Sequence, residues 1–195
     1  MNKTFLSFLI IPFFITVNCL QSQNTIAGLS IAANQNNFLI NEHEKLIDSY
    51  IGKGSYDIGI FFQKEFKGNL SLHTGLNYSE NSLEGYFNVN EVKYEFHNKI
   101  KYYSIPFLLH YDFTNLFFIR SGITIDYEIE KSRSINESQS GLGALLSIGI
   151  QYTKNHFYCS ISPQIKIKTL VRFKEVLNDY NLWNYGIHLA GGYRF

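Results

Sequence analysis

The sequence predicts an all-β fold: an eight-stranded antiparallel up-and-down transmembrane β-barrel with short periplasmic turns and longer extracellular loops. Three observations predict it. Eight stretches alternate apolar and polar residues with a period of two. The connections between them alternate short and long, which is the layout of barrels that cross an outer membrane. The chain closes on an alternating strand, Leu182 to Phe195, whose last residue is aromatic.

The first element is a targeting segment. Met1-Asn2-Lys3 is followed by an apolar run from Phe5 to Val17, the pattern of a secretory signal peptide. The run is too short and too near the start to read as a stable membrane span. Residues 1–22 are assigned to this signal, with cleavage expected between Cys19 and Asn24, and residues 24–195 to one barrel domain. Cys19 raises the alternative of an acylated lipoprotein, although Asn18 is a poor fit to the small residue that such processing prefers. Once the signal is removed Cys159 is the only cysteine, so an intrachain disulfide is excluded. It falls between Phe157 and Ile161 on the apolar face and reads as a small filler.

The strands follow in order, each with one apolar face. Near 25–34 that face carries Ala27, Leu29 and Ile31; near 55–66, Tyr56, Ile58, Ile60, Phe62 and Phe66; near 69–80, Leu70, Leu72, Leu76 and Tyr78. Near 98–113 it carries Tyr103, Ile105, Phe107, Leu109, Tyr111 and Phe113; near 115–130, Phe117, Ile119, Ile123, Ile125, Tyr127 and Ile129. Near 140–153 it carries Leu142, Ala144, Leu146, Ile148, Ile150 and Tyr152; near 156–169, Phe157, Ile161, Ile165 and Ile167. The closing strand presents Trp183, Tyr185, Ile187, Leu189, Gly191, Tyr193 and Phe195. Pro106 and Pro163 fall inside strands, and a closed barrel has no free edge to absorb a missing N–H, so a bulge or bend is expected at each.

Tight turns are expected at Lys67-Gly68-Asn69, Thr114-Asn115 and Lys154-Asn155, and long connections near 35–54, 81–97, 131–139 and 170–181. Asn41 to Ile51 has the composition of a short loop helix. With eight strands, both termini lie on the short-turn, periplasmic side.

A soluble lipocalin is also an eight-stranded barrel, with its apolar face turned inward. The aromatic residues argue against that rival. Tyr56, Tyr78, Tyr103, Tyr127, Trp183 and Tyr185 lie near the long-loop end of their strands; Phe66, Tyr111, Phe113, Tyr152, Phe157, Tyr193 and Phe195 lie near the short-turn end. Two aromatic girdles with aliphatic residues between them match two membrane interfaces. Tyr193 and Phe195 are assigned as the C-terminal insertion signal, which makes membrane lipid and the barrel-insertion machinery the expected partners. Lys+Arg 17 against Asp+Glu 16 gives no basic footprint for nucleic acid.

The opposite face is polar. It includes Gly28, Ser30, Asp57, Gly59, Glu65, Ser71, His73, Gly75, Asn77, Ser104, His110, Asp112, Arg120, Thr124, Asp126, Glu128, Glu130, Ser147, Gln151, Ser160, Ser162, Gln164, Lys166, Lys168, His188 and Arg194, joined by Phe61, Leu108, Phe118 and Leu145. A barrel of eight strands is just wide enough to be filled by its own side chains. Buried charges need partners. Two interior clusters are therefore expected: Arg120 and Arg194 with Glu65 and Asp112 towards the periplasm, and Lys166 and Lys168 with Asp57, Asp126 and Glu128 towards the outside. His73, His110 and His188 are candidates for a base or a metal ligand, but they come from three separated strands without a spaced motif and read as satisfied interior histidines. His43, His97 and His156 fall in loops, a turn or strand ends. No catalytic residue, cofactor or metal is expected.

The strand Tyr102-Tyr-Ser-Ile-Pro-Phe-Leu-Leu-His-Tyr-Asp-Phe113 resembles the PorT-like outer-membrane β-barrel family, in which a strand of the type Tyr-x-x-Ile-Pro-Leu-Leu-Leu-x-Tyr precedes one with an internal glycine, here Leu116 to Gly122. The likeness covers about residues 25–195 and includes the Gly-Tyr-x-Phe-like end. It implies an eight-stranded barrel in a Gram-negative outer membrane and a tolerance for Pro106. It supplies no catalytic residues. Some relatives take part in protein secretion, which adds a secretion-system or surface partner to the expectations. The readings carried forward are a non-enzymatic barrel with loop-mediated recognition or a structural role, an accessory subunit of an envelope secretion machine, and a lipid-modifying barrel enzyme.

Overall fold

A computed structural model of the chain describes residues 25–40, 49–66, 68–89, 92–130, 140–173 and 180–195. The strands are β1 (Thr25–Ile40), β2 (Ser49–Glu65), β3 (Leu70–Val89), β4 (Val92–Asp112), β5 (Phe117–Glu130), β6 (Gly141–Lys154), β7 (Phe157–Arg172) and β8 (Tyr180–Arg194). Each pairs antiparallel with its sequence neighbour, and β1 pairs with β8 from Ile26↔Arg194 to Ile40↔Tyr180, closing the barrel. Closure leaves no unpaired edge.

The expected face points outward on every strand. Leu29, Ile58, Leu109, Ile148 and Ile187 are exposed, whereas Ser30, Asp57, His110 and Ser147 are buried. The aromatic residues form the two girdles. Tyr78 packs against Tyr56 and Tyr103 at the upper level, with ring centroids 6.3 and 6.2 Å apart. Tyr193 contacts Phe195 at 5.1 Å and Phe157 at 6.5 Å at the lower one. From Trp183 to Tyr193 a strand runs about 33 Å, or about 25 Å along the membrane normal at a tilt of roughly 40°, which matches the apolar band of an outer-membrane barrel.

The tight turns fall where expected. Gly68 (φ 81°) and Asn155 (φ 56°) adopt the left-handed conformation that glycine and asparagine tolerate. The Thr114 hydroxyl accepts from the Leu116 and Phe117 amides at 3.1 and 3.0 Å and fixes the β4–β5 turn.

Three expectations are corrected. Strand extends into the long connections expected near 35–54, 81–97 and 170–181: β1 continues to Ile40, β2 begins at Ser49, β3 and β4 pair up to Val89↔Val92, β7 continues to Arg172 and β8 begins at Tyr180, with 41–48 and 174–179 outside the described residues. Above the membrane the outward face meets water, so apolar alternation disappears while backbone pairing goes on. Second, neither proline makes a bulge. Thr74↔Phe107 and Asn77↔Ser104 lie in one register on either side of Pro106, as do Ser147↔Gln164 and Ile150↔Ile161 around Pro163; the ladder skips pairs beside the proline on one side and resumes. The register shifts lie elsewhere, at Gly52/Ser55, Lys101/Tyr102 and Leu142/Ala144, where Gly54 (φ 99°) and Thr169 (φ 57°) sit on the strands that carry the extra residues. Third, Ser49–Ile51 of the expected loop helix is strand, and residues 41–48 lie outside the described set. The signal segment, His43, residues 131–139 and the Glu130 side chain also lie outside it.

The lumen and rim as candidate functional site

Hydrogen-bonding side chains from seven strands meet in the upper lumen. Lys166 on β7 donates to Asp57 on β2 at 2.5 Å, and Ser79 on β3 donates to the same carboxylate. Asn34 on β1 donates to Asp57 at 3.2 Å and accepts from Gln164 at 2.8 Å. Asn184 on β8 donates to Asn81 at 2.8 Å and Ser55 at 3.0 Å. Asp126 accepts from Ser104 and Thr124. Sharing each acceptor among several donors is how a polar core is stabilised in a medium where an unpaired group costs several kcal/mol.

The expected charge network is rearranged. Arg194 holds Glu65 at 2.6 Å near the periplasmic rim. Arg120 joins no carboxylate in the described set. Its Nε donates to His110 Nδ1 at 3.4 Å, and His110 Nε2 donates to Asp112 at 2.9 Å, so imidazole stands between guanidinium and carboxylate. The lower cluster is therefore a pair and a relay rather than one group of four charges. In the upper cluster Lys166 takes Asp57, while Lys168, 2% exposed, makes no hydrogen bond through Nζ and sits 4.1 Å over the Tyr102 ring. It contacts that ring and donates no hydrogen bond to Asp126 or Glu128.

Two buried apolar clusters flank the polar core of the lumen. Leu83, Ile100, Tyr102 and Leu182 form a buried cluster above the upper girdle. Ile26, Phe61, Tyr158 and Ala190 form another towards the periplasm. The three inward histidines do separate jobs. His73 stacks on Phe61 at 5.2 Å, His110 stacks on Phe118 at 4.7 Å, and His188 lines a small central cavity. His73 lines the same cavity, whereas His110 does not, and no group of three metal-ligating side chains occurs among the described residues. Cys159 is exposed on the lipid face, and the Tyr152 carbonyl is its contact.

Beyond the upper girdle, the outer surface of β2–β4 carries a cross-strand ladder of charges. Glu80 accepts from Lys99 at 2.7 Å and from the Tyr56 and Tyr78 hydroxyls at 3.0 and 3.3 Å. Glu84 pairs with Lys53 at 2.8 Å and with His97 at 2.9 Å, which places His97 on a strand rather than in a loop. The Lys99 hydrogen bond holds the Glu80 carboxyl below its ordinary value. His156, in the β6–β7 turn, donates to the Arg194 carbonyl at 2.9 Å and stacks on Tyr193 at 5.1 Å, tying the closing strand to the turn beside it.

The sequence reading missed Asn34, Asn36, Asn81 and the Leu83/Ile100/Tyr102/Leu182 layer. The signal was present: Ser30, Ala32, Asn34 and Asn36 keep one parity, as do Asn77, Ser79, Asn81 and Leu83.

Residues 21–195 match the family model described as outer membrane protein beta-barrel domain. No curated protein matches the sequence. Among solved structures, the chain is similar to the outer membrane protein OprG of Pseudomonas aeruginosa, at 13% identity and TM-score 0.58, covering 89% of this chain and 96% of that one. It is also similar to Neisserial surface protein A, at 10% identity and TM-score 0.54, covering 89% and 100%. The outer membrane protein AlkL in lipid bilayers is similar at 10% identity and TM-score 0.50, covering 89% and 92%. At these identities the likeness is one of fold.

Proposed function

We infer the role of this chain from its family: it belongs to the outer membrane protein beta-barrel domain family and resides in the cell outer membrane. Its barrel is a sealed, non-enzymatic membrane anchor, and recognition falls to the rim outside the membrane. The observation that carries this reading is the filled lumen, in which a cross-linked polar core lies between two apolar layers. Such a lumen offers a solute no open path. What remains for contact with other molecules is the β3–β4 hairpin, which stands above the upper girdle on paired backbone, together with the outer connections. A rigid platform of this kind lowers the ordering cost of binding.

A second reading, an accessory subunit of an envelope protein-secretion machine, is favoured by one feature: the Tyr102–Phe113 strand with its Ile105-Pro106 step, similar to PorT-like barrels. A deletion strain scored for secreted proteins, lipid A structure and envelope integrity tests both. Complementation is by the full chain and by a chain whose β3–β4 hairpin is trimmed to the level of Tyr78 and Tyr103. The anchor reading expects the trimmed barrel to insert normally and fail to complement. Loss of secretion without envelope damage turns the assignment to the secretion machine. Altered lipid A in the deletion strain overturns the non-enzymatic reading.

A further inference from the structure

The centre of the lumen holds a cavity large enough for a water-sized body. Its polar lining is Ser30, His73, Asn77, Arg120, Gln164, Lys166 and His188, and no carboxylate lines it. Arg120 is 2% exposed. Its Nε is used by His110 and its guanidinium lies 5.0 Å over the Phe118 ring, while Nη2 has no hydrogen-bond partner. Nδ1 of His73 and Nδ1 of His188 are also without partners. Lys166, the second cation on the wall, is held by Asp57.

With Lys166 balanced by Asp57, Arg120 is the cation at the wall that touches no carboxylate, and it faces two imidazoles across the void. A buried guanidinium whose carboxylate, Asp112, is reached only through His110 is costly, and a donor left unpaired in a low-dielectric core adds a further penalty. Water alone would satisfy the donors without balancing the charge. We propose that this cavity is a structural anion site that holds one monatomic anion of the halide class, bound by Arg120 Nη2 and by N–H groups of His73 and His188. The anion completes the core from within. The space admits one atom of that size, and a singly charged halide costs less to strip of water than doubly charged sulfate. Because the ligand is enclosed by the folded barrel, its binding free energy adds to stability.

The direct test uses crystals of the full protein purified in detergent and soaked in sodium bromide. An anomalous bromine peak in the cavity, within hydrogen-bonding reach of Arg120 Nη2, is the expected result. Cavity density without anomalous signal, or no density, overturns the proposal. A solution test compares thermal unfolding in sodium chloride and in sodium sulfate at matched ionic strength. The midpoint is expected to climb with chloride and not with sulfate. That chloride response should vanish in Arg120→Gln and weaken in His188→Leu, a variant that keeps Arg120 in place. An unchanged chloride response in both variants contradicts the site, and if Arg120→Gln does not fold, His188→Leu and the bromide crystal decide the matter.

Discussion

Lys166 on β7 and Asp57 on β2 meet across the lumen at 2.5 Å, and Asp57 also takes hydrogen bonds from Ser79 and Asn34. Two strands that are not neighbours in the barrel wall are thereby joined through its interior. Removing one partner leaves the other charge buried. Lys166→Met is expected to destabilise the barrel by about 3–5 kcal/mol, and the double variant Lys166→Met/Asp57→Leu by much less than the sum of its parts. Urea titration of folding into lipid vesicles reads both.

The two faces of β6 respond oppositely to the same substitution. Ile148 is 54% exposed on the lipid face and Ser147 is 3% exposed within the lumen. Ile148→Arg is expected to cost roughly 2–4 kcal/mol by placing charge in hydrocarbon. Ser147→Arg acts by crowding, so its cost should fall when a neighbouring interior side chain is shortened, whereas that of Ile148→Arg should not. Folding free energies of the single and double variants separate the two mechanisms.

Adjacent glycines at the β1–β8 seam differ in the same way. A Cβ on Gly191 meets nothing within 4 Å, whereas one on Gly192 meets the Ala27 carbonyl oxygen at 2.6 Å and the Phe61 ring at 3.1 Å. Gly191→Ala should leave stability within about 0.5 kcal/mol, and Gly192→Ala should lower it by about 1–3 kcal/mol through overpacking at the closure. The heat-dependent gel mobility of folded and unfolded forms measures this.

Glu80 supplies a pH dependence at the outer rim, outside the membrane-spanning part. The Lys99 hydrogen bond depresses its carboxyl below the ordinary 4.5. A depressed acid contributes stability that is present above the unfolded-state pKa and is lost as pH falls through the folded-state value. Lowering the pH below 4.5 should therefore weaken wild type progressively. Glu80→Gln should lack that component, which thermal unfolding across an acid pH series detects.

The membrane-spanning part of each strand was legible in the sequence because lipid demands an apolar outer face and the packed lumen a polar inner one. Leu29/Ser30 and Ile148/Ser147 carry that alternation plainly. The extensions of β1, β3 and β4 were harder to read because both faces become polar above the upper girdle: Glu80 and Lys99 point out while Asn34 and Asn81 point in. The prolines misled because a missing N–H was equated with a shifted register, whereas the ladder at Pro106 skips pairs on the β3 side and still pairs with Thr124. Residue type placed Arg120 correctly in the lumen. Its partner was not readable, because barrel tilt and stagger decide which side chains share a level, and they bring His110 rather than Asp112 to its Nε.

A lumen sealed by its own side chains conducts no ions. Single-channel recording of the purified full chain in a planar lipid bilayer tests it most directly. Sealing by interior side chains predicts a silent membrane for wild type. It also predicts conductance only when the two seals are opened together, with Tyr102→Gly and Leu182→Gly above and Phe61→Gly below. Steady, voltage-independent current steps from the wild-type protein would contradict it.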